Sequence, residues 1–114
     1  MAVSDWTSFL KQTDARMAAV RKGAPDVAKA FGALAGAATK PGALDPKTKE
    51  LIALAIGITA RCDGCLAYHA RAAAHHGATR EEILDVIGVS VYMGGGPSMI
   101  YGAEALAAFD GLAE

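Results

Sequence analysis

Cys62, Cys65 and His69 follow one another at offsets of three and four residues, a spacing that puts all three side chains on one face of a helix. They lie in the run Lys49–Ala70, KELIALAIGITARCDGCLAYHA, which is otherwise almost wholly apolar and holds both cysteines of the chain. Two thiols three residues apart can close into a disulfide, and an imidazole one turn away can take or return a thiol proton. Glu50 precedes Cys62 by twelve residues, so a preceding antiparallel helix would bring its carboxylate back over the same face. The four residues form a redox constellation, and the remaining sequence reads as its scaffold.

That scaffold reads as helical throughout. Ser4 is expected to cap a first helix whose Trp6, Phe9, Leu10, Met17 and Val20 make one apolar stripe, ended by Gly23. Pro25 suits the first position of a second helix bearing Val27, Phe31 and Leu34, with Gly32 and Gly36 permitting close approach to a neighbour. Lys40-Pro41-Gly42 is a loop. Asp45-Pro46 restarts the chain as cap and first residue of a helix to about Ala60, apolar on every side beyond Glu50 and hence buried and central. After a break at Arg61, Cys62 starts the next helix and Gly77 stops it. Thr79 and Glu82 make a capping box for a fifth helix with Ile83, Val86, Ile87 and Val91. Gly94-Gly95-Gly96 is a hinge or tight loop, and Pro97 opens a last helix with Met99, Ile100, Ala103 and Leu106 on one side. No segment alternates as a strand would. The expectation is one all-α domain over residues 1–114, of about six helices.

Composition narrows the function classes. With 114 residues and a formal charge of −1, scattered along the chain, there is no electrostatic footprint for nucleic acid or an anionic membrane. The apolar stretch from Leu51 to Ala60 is too short to span a bilayer. Asp5 interrupts the N-terminus and no apolar signal core follows, so the expected location is the cytoplasm, where paired cysteines are reactive rather than structural. Alanine occurs 26 times among 53% hydrophobic residues, and mean hydropathy is +0.26. So short a chain cannot hide that much apolar surface in one core, which points to a homo-oligomer.

Each candidate has a plainer use. Cysteines serve as small buried hydrophobes, His69 as a core histidine, and Glu50 as a first-turn carboxylate that complements the helix dipole. His75 and His76 suit a helix C-terminus for the same electrostatic reason. Tyr68 and Tyr101 could line the pocket, with core or interface packing the plainer use. The glycine triplet lacks the preceding strand a dinucleotide loop requires. Between the cysteines, the helix N-terminus favours Cys62 as the thiolate, whereas contact with His69 favours Cys65.

The pattern E-x11-C-x2-C-x3-H, with the lead-in Leu44-Asp45-Pro46-Lys47-Thr48-Lys49-Glu50-Leu51 and the later Thr79-Arg80-Glu81-Glu82-Ile83, resembles the alkylhydroperoxidase D / carboxymuconolactone decarboxylase family from about Leu44 to Leu106. That resemblance implies the family's helical fold, a peroxide-attacking role for Cys65, a resolving role for Cys62, and a proton relay of His69 and Glu50, the glutamate working through water toward a cysteine. It also implies an external dithiol reductant such as a lipoyl-bearing protein, a peroxiredoxin as downstream partner, no further cofactor, and trimers or hexamers among short single-motif members. The sequence departs from the family hydroperoxidases at Gly64, where they carry a histidine, and lacks the extra N-terminal half of the longer enzymes.

Three functions follow. The first is a thiol-dependent peroxidase or disulfide reductase. The second is a lyase of the carboxymuconolactone decarboxylase kind, with His69 and Glu50 as acid and base and no use for the two thiols. The third is a non-catalytic zinc site of Cys62, Cys65, His69 and Glu50. The apolar excess generates a direct prediction: light scattering at micromolar concentration should return a trimer or hexamer mass, and a monomer mass would refute the oligomer.

Overall fold

The free N–H groups of most helix starts are met by a side chain or spared by a proline. The structure, a computed structural model, describes residues 3–113. Among them are α1 (Trp6–Gly23), α2 (Pro25–Thr39), α3 (Pro46–Thr59), α4 (Asp63–His75), α5 (Arg80–Gly94) and α6 (Gly96–Leu112). The fold is all-α with six helices, as the spacing predicts. The cap of α1 is Asp5 rather than Ser4: its carboxylate accepts the Ser8 N–H at 3.2 Å and the Ser8 hydroxyl at 2.9 Å. A carboxylate complements the helix dipole as a hydroxyl cannot, and the Ser8 N–H holds the Asp5 carboxyl below its ordinary pKa. Asp45 caps α3 through the Thr48 N–H at 2.7 Å. Gly95, with φ of 74°, joins α5 to α6 in one residue.

The core gathers Trp6 and Leu10 of α1, Leu54 and Ile58 of α3, Leu66 of α4, Ile83 of α5 and Phe109 of α6. Between these large side chains sit alanines, Ala67, Ala70 and Ala73 of α4 and Ala105 and Ala108 of α6, which let helices approach closely. Gly102 extends this: a Cβ there would lie 2.6 Å from Ile87 Cγ2, so α5 and α6 meet where a side chain is missing.

Several expected faces are corrected. On α6 the buried residues are Ser98, Gly102, Ala105, Ala108 and Phe109, while Met99 and Ile100 are 63% and 67% exposed. That helix is apolar nearly all round, so periodicity could not choose its face, and small residues won the close contact. Met17 and Val20 fall outside the buried part of the α1 stripe. Ile52 and Ile56 of α3 are exposed, so that helix is central but not buried on every side. α2 has no buried residue; Val27, Phe31 and Leu34 face outward, and Cβ atoms on Gly32 or Gly36 would meet nothing. Lys49 tethers α2 instead, its ammonium donating to the carbonyls of Ala38 and Lys40 at 3.0 and 2.7 Å. No described helix is long and apolar enough to cross a membrane.

The capping box of α5 is present as read. Glu82 N–H donates to Thr79 Oγ1 at 3.1 Å and Thr79 N–H to Glu82 Oε1 at 2.9 Å, while Lys47 of α3 holds Glu82 Oε2 at 2.9 Å. The Thr79 N–H first, and Lys47 second, hold the Glu82 carboxyl below its ordinary pKa. Stability from this carboxylate is therefore complete above the unfolded glutamate value, about 4.3, and is lost as pH falls through the lower folded value. Glu82→Ala should lower the Tm at neutral pH, and thermal scans should show that deficit disappearing in acid. A deficit independent of pH would show that Glu82 acts by packing alone.

Candidate functional site

The site is built on the α3–α4 hairpin. At the end of α3 the Cys62 N–H donates to Gly57 O at 3.0 Å and the Arg61 N–H to Ile58 O at 3.2 Å, the crossed bonds of a Schellman cap. The residue this cap places in the left-handed region is Arg61, with φ of 58°, where glycine is the ordinary occupant. At the end of α4 the same pattern, Ala78 N–H to Ala73 O and Gly77 N–H to Ala74 O, carries glycine with φ of 88°. The Arg61 turn makes Cys62 both the last residue of one cap and the N-cap of α4, so the chain reverses immediately before the first cysteine.

Cys62 and Cys65 are joined by a disulfide. Cys62 Sγ also accepts the Cys65 N–H at 3.1 Å, which aims the helix N-terminus at that sulfur and favours its thiolate once the bond is opened. Across the hairpin, a Cβ on Gly57 would lie 3.0 Å from Cys65 Cβ. Gly57 thus sets how closely α4, at its second cysteine, lies on α3.

This close approach returns Glu50 over the cysteine helix. Glu50 is buried, and its Oε1 lies 2.7 Å from His69 Nδ1. A carboxylate accepts, so Nδ1 carries the hydrogen and Nε2 is left as the basic nitrogen. The glutamate's direct partner is therefore the histidine. All four residues singled out from the sequence occupy one hairpin, with the disulfide and imidazole on the same helix face one turn apart.

The disulfide opens on a cleft of about 470 Å³ between α1, α2 and α4, within the range of small-molecule sites. Cys62, Gly64, Cys65, Tyr68 and His69 form its α4 wall. The opposite walls are Thr13, Asp14, Met17 and Arg21 of α1 with Phe31 and Ala35 of α2. The Tyr68 hydroxyl donates to Asp14 Oδ1, the leading cause of a phenol pKa above its ordinary value. Tyr68 is thus a cleft residue and not only packing. Thr13, Asp14 and Arg21 escaped the sequence reading because they are polar; with Met17, at offsets of one, three and four, they continue the face of Trp6 and Leu10 along the helix to line the cleft. Tyr101, His75 and His76 do not line the cleft. Among the described residues no group of three or more His, Cys, Asp or Glu side chains is placed to hold a metal ion.

A Cys-x-x-Cys disulfide on a six-helix scaffold, with a Glu–His pair on the same hairpin, defines a class of protein, and comparison gives the family. The chain belongs to the carboxymuconolactone decarboxylase family, whose profile matches residues 25–108. A carboxymuconolactone decarboxylase family protein from Legionella pneumophila superposes with a TM-score of 0.92 at 46% identity, covering 96% of this chain and 97% of that one. A family protein from Thermotoga maritima, for which a part in an antioxidative response has been suggested, superposes with a TM-score of 0.78 at 30% identity, covering 90% and 87%. An uncharacterised Cupriavidus necator protein is 37% identical over 96% of both chains.

The left-handed arginine yields a stability prediction. A non-glycine residue in this region costs roughly 1–2 kcal/mol, so Arg61→Gly should stabilise the chain by about 1 kcal/mol in urea unfolding. A loss of stability would mean that the Arg61 side chain contributes more than its backbone costs.

Proposed function

We propose that the chain is a thiol-dependent antioxidant oxidoreductase that reduces hydroperoxides or disulfides through Cys62 and Cys65. The observation that carries this reading is the Cys62–Cys65 disulfide in the wall of an open cleft, one turn from a histidine fixed by a buried carboxylate. In the reduced form, His69 Nε2 takes the Cys65 proton, and the Cys65 thiolate attacks the outer oxygen of the hydroperoxide. The O–O bond breaks; Cys65 becomes a sulfenic acid, and the departing alkoxide leaves as the alcohol after taking the proton from His69. Cys62 then attacks the sulfenic sulfur, releasing water and forming the disulfide. Two thiols are oxidised and one peroxide bond is reduced. An external dithiol restores the pair by exchange, a donor of the lipoyl-bearing type fitting the resemblance, with a peroxiredoxin as partner.

Glu50 holds the tautomer and stabilises the imidazolium that forms, so its role is to position the histidine. The resemblance assigns attack to Cys65, which sits one turn from His69, and resolution to Cys62, which the helix N-terminus favours as a thiolate. A lactone decarboxylase would leave the cysteine pair without a task. The reading places the protein in the reducing cytoplasm, as an oligomer whose subunits cover the apolar surfaces of α2, α5 and α6.

Peroxide-driven thiol oxidation, followed against pH for variants whose fold is checked by circular dichroism, tests this. His69→Ala should slow the reaction by about 10²–10⁴-fold. Glu50→Gln should slow it less, and the effect should shrink at high pH, where thiols ionise unaided. Gly64→His should raise the rate, since a Cβ at 64 meets only Thr13 Cγ2 at an ordinary 3.9 Å and the position faces the cleft. Wild-type rates from folded His69→Ala and Glu50→Gln would remove the relay.

A further inference from the structure

The cleft over the disulfide is ordered along its length. At one end Thr13 lies beside Gly64, the residue between the two cysteines. Arg21 lines the same cleft eight residues further along α1, about 12 Å away at 1.5 Å per residue. The wall between is apolar, from Met17 of α1 with Phe31 and Ala35 of α2. The cleft's other α1 charge, Asp14, is already engaged by the Tyr68 hydroxyl. Among the described residues Arg21 makes no ion pair with a carboxylate, yet its charge is felt at Tyr68, whose phenol it draws downward against the stronger upward effect of Asp14. Arg71, the other cation near Tyr68, lies 5.6 Å from the centre of its ring and is not part of the lining.

The redox mechanism uses the disulfide end of this cleft and leaves the guanidinium end unassigned. A molecule complementary to the whole has a reducible group, several carbons of apolar chain, and an anionic group, in that order. Arginine's planar fork matches a carboxylate in two hydrogen bonds. We propose that the cleft takes long-chain carboxylic acid hydroperoxides, with the carboxylate on Arg21, the chain along Met17 and Phe31, and the hydroperoxyl group at Cys65. This rests on the oxidoreductase reading and names the substrate class. Arg21 is then the specificity residue: it fixes the far end of the substrate and takes no part in the electron transfer, which is the two-thiol reduction of one O–O bond described above.

The test has a binding arm and a reaction arm. In the binding arm, calorimetry on the disulfide form compares decanoate with decanol, which differ at the anionic end and need no redox chemistry. Decanoate should bind about tenfold more tightly, the change one charge-assisted hydrogen bond carries. Arg21→Gln, an exposed substitution whose fold is checked by circular dichroism, should remove that difference and leave decanol unchanged. In the reaction arm, the reduced protein is mixed with linoleic acid hydroperoxide, its methyl ester, or hydrogen peroxide, and thiol loss is timed. The acid should react about tenfold faster than the ester in the wild type, and Arg21→Gln should bring the acid to the ester's rate while sparing the ester and hydrogen peroxide. Equal binding of decanoate and decanol, or a uniform slowing of all three oxidants in Arg21→Gln, would overturn the proposal and leave the oxidoreductase reading standing. Decanoate selectivity with no thiol lost to any oxidant would refute the oxidoreductase reading and the substrate class with it.

Discussion

α3 and α4 lie against each other at Gly57 and Cys65, and the rest of the site depends on that approach. The absent side chain at Gly57 admits the Cys65 Cβ, and the left-handed turn at Arg61 returns the chain sharply enough for the two helices to run antiparallel. Glu50 near the start of α3 then falls opposite His69 in α4. A bulkier residue at 57 would move the cysteine helix outward and lengthen the carboxylate–imidazole contact with it.

Burial makes that contact consequential. A carboxylate held away from water needs a partner, and Glu50 has one in the imidazole, whose tautomer it fixes. The histidine is thereby oriented with its basic nitrogen unspent, the state required of a group that takes a thiol proton. The disulfide and His69 both lie in the α4 wall of the cleft formed with α1 and α2, so the imidazole held by Glu50 shares the face that presents the sulfur. The walls differ in how firmly they are held: α1 is anchored by Trp6 and Leu10 in the core, whereas α2 buries nothing and is tied by Lys49 to its last carbonyls.

Much of this was legible in the sequence where local chemistry decides the outcome. Pro25, Pro46, Asp45 and the Thr79–Glu82 box are helix starts that propensity and capping specify without reference to tertiary structure, and the offsets among Cys62, Cys65 and His69 place them on one face. Ser4 lost the α1 cap to Asp5 because the neighbouring carboxylate is the better partner for a helix N-terminus. The faces of α6 and α2 were not legible: an evenly apolar helix has no moment to orient it, and an exposed apolar helix looks like a buried one until its neighbours are known. Asp14 and Arg21 were missed as cleft residues because they meet the cysteines across helices far apart in sequence, and local spacing gives a helix face without naming the helix it meets.

The central claim is that the two sulfurs act as one intramolecular redox pair. The direct measurement is to reduce the protein fully, expose it to a small excess of hydrogen peroxide, and follow free thiols and intact mass together. The account predicts the loss of both thiols of each chain, with a product two hydrogens lighter and no covalent dimer. Thiols that persist, or a product linked only between chains, would contradict it.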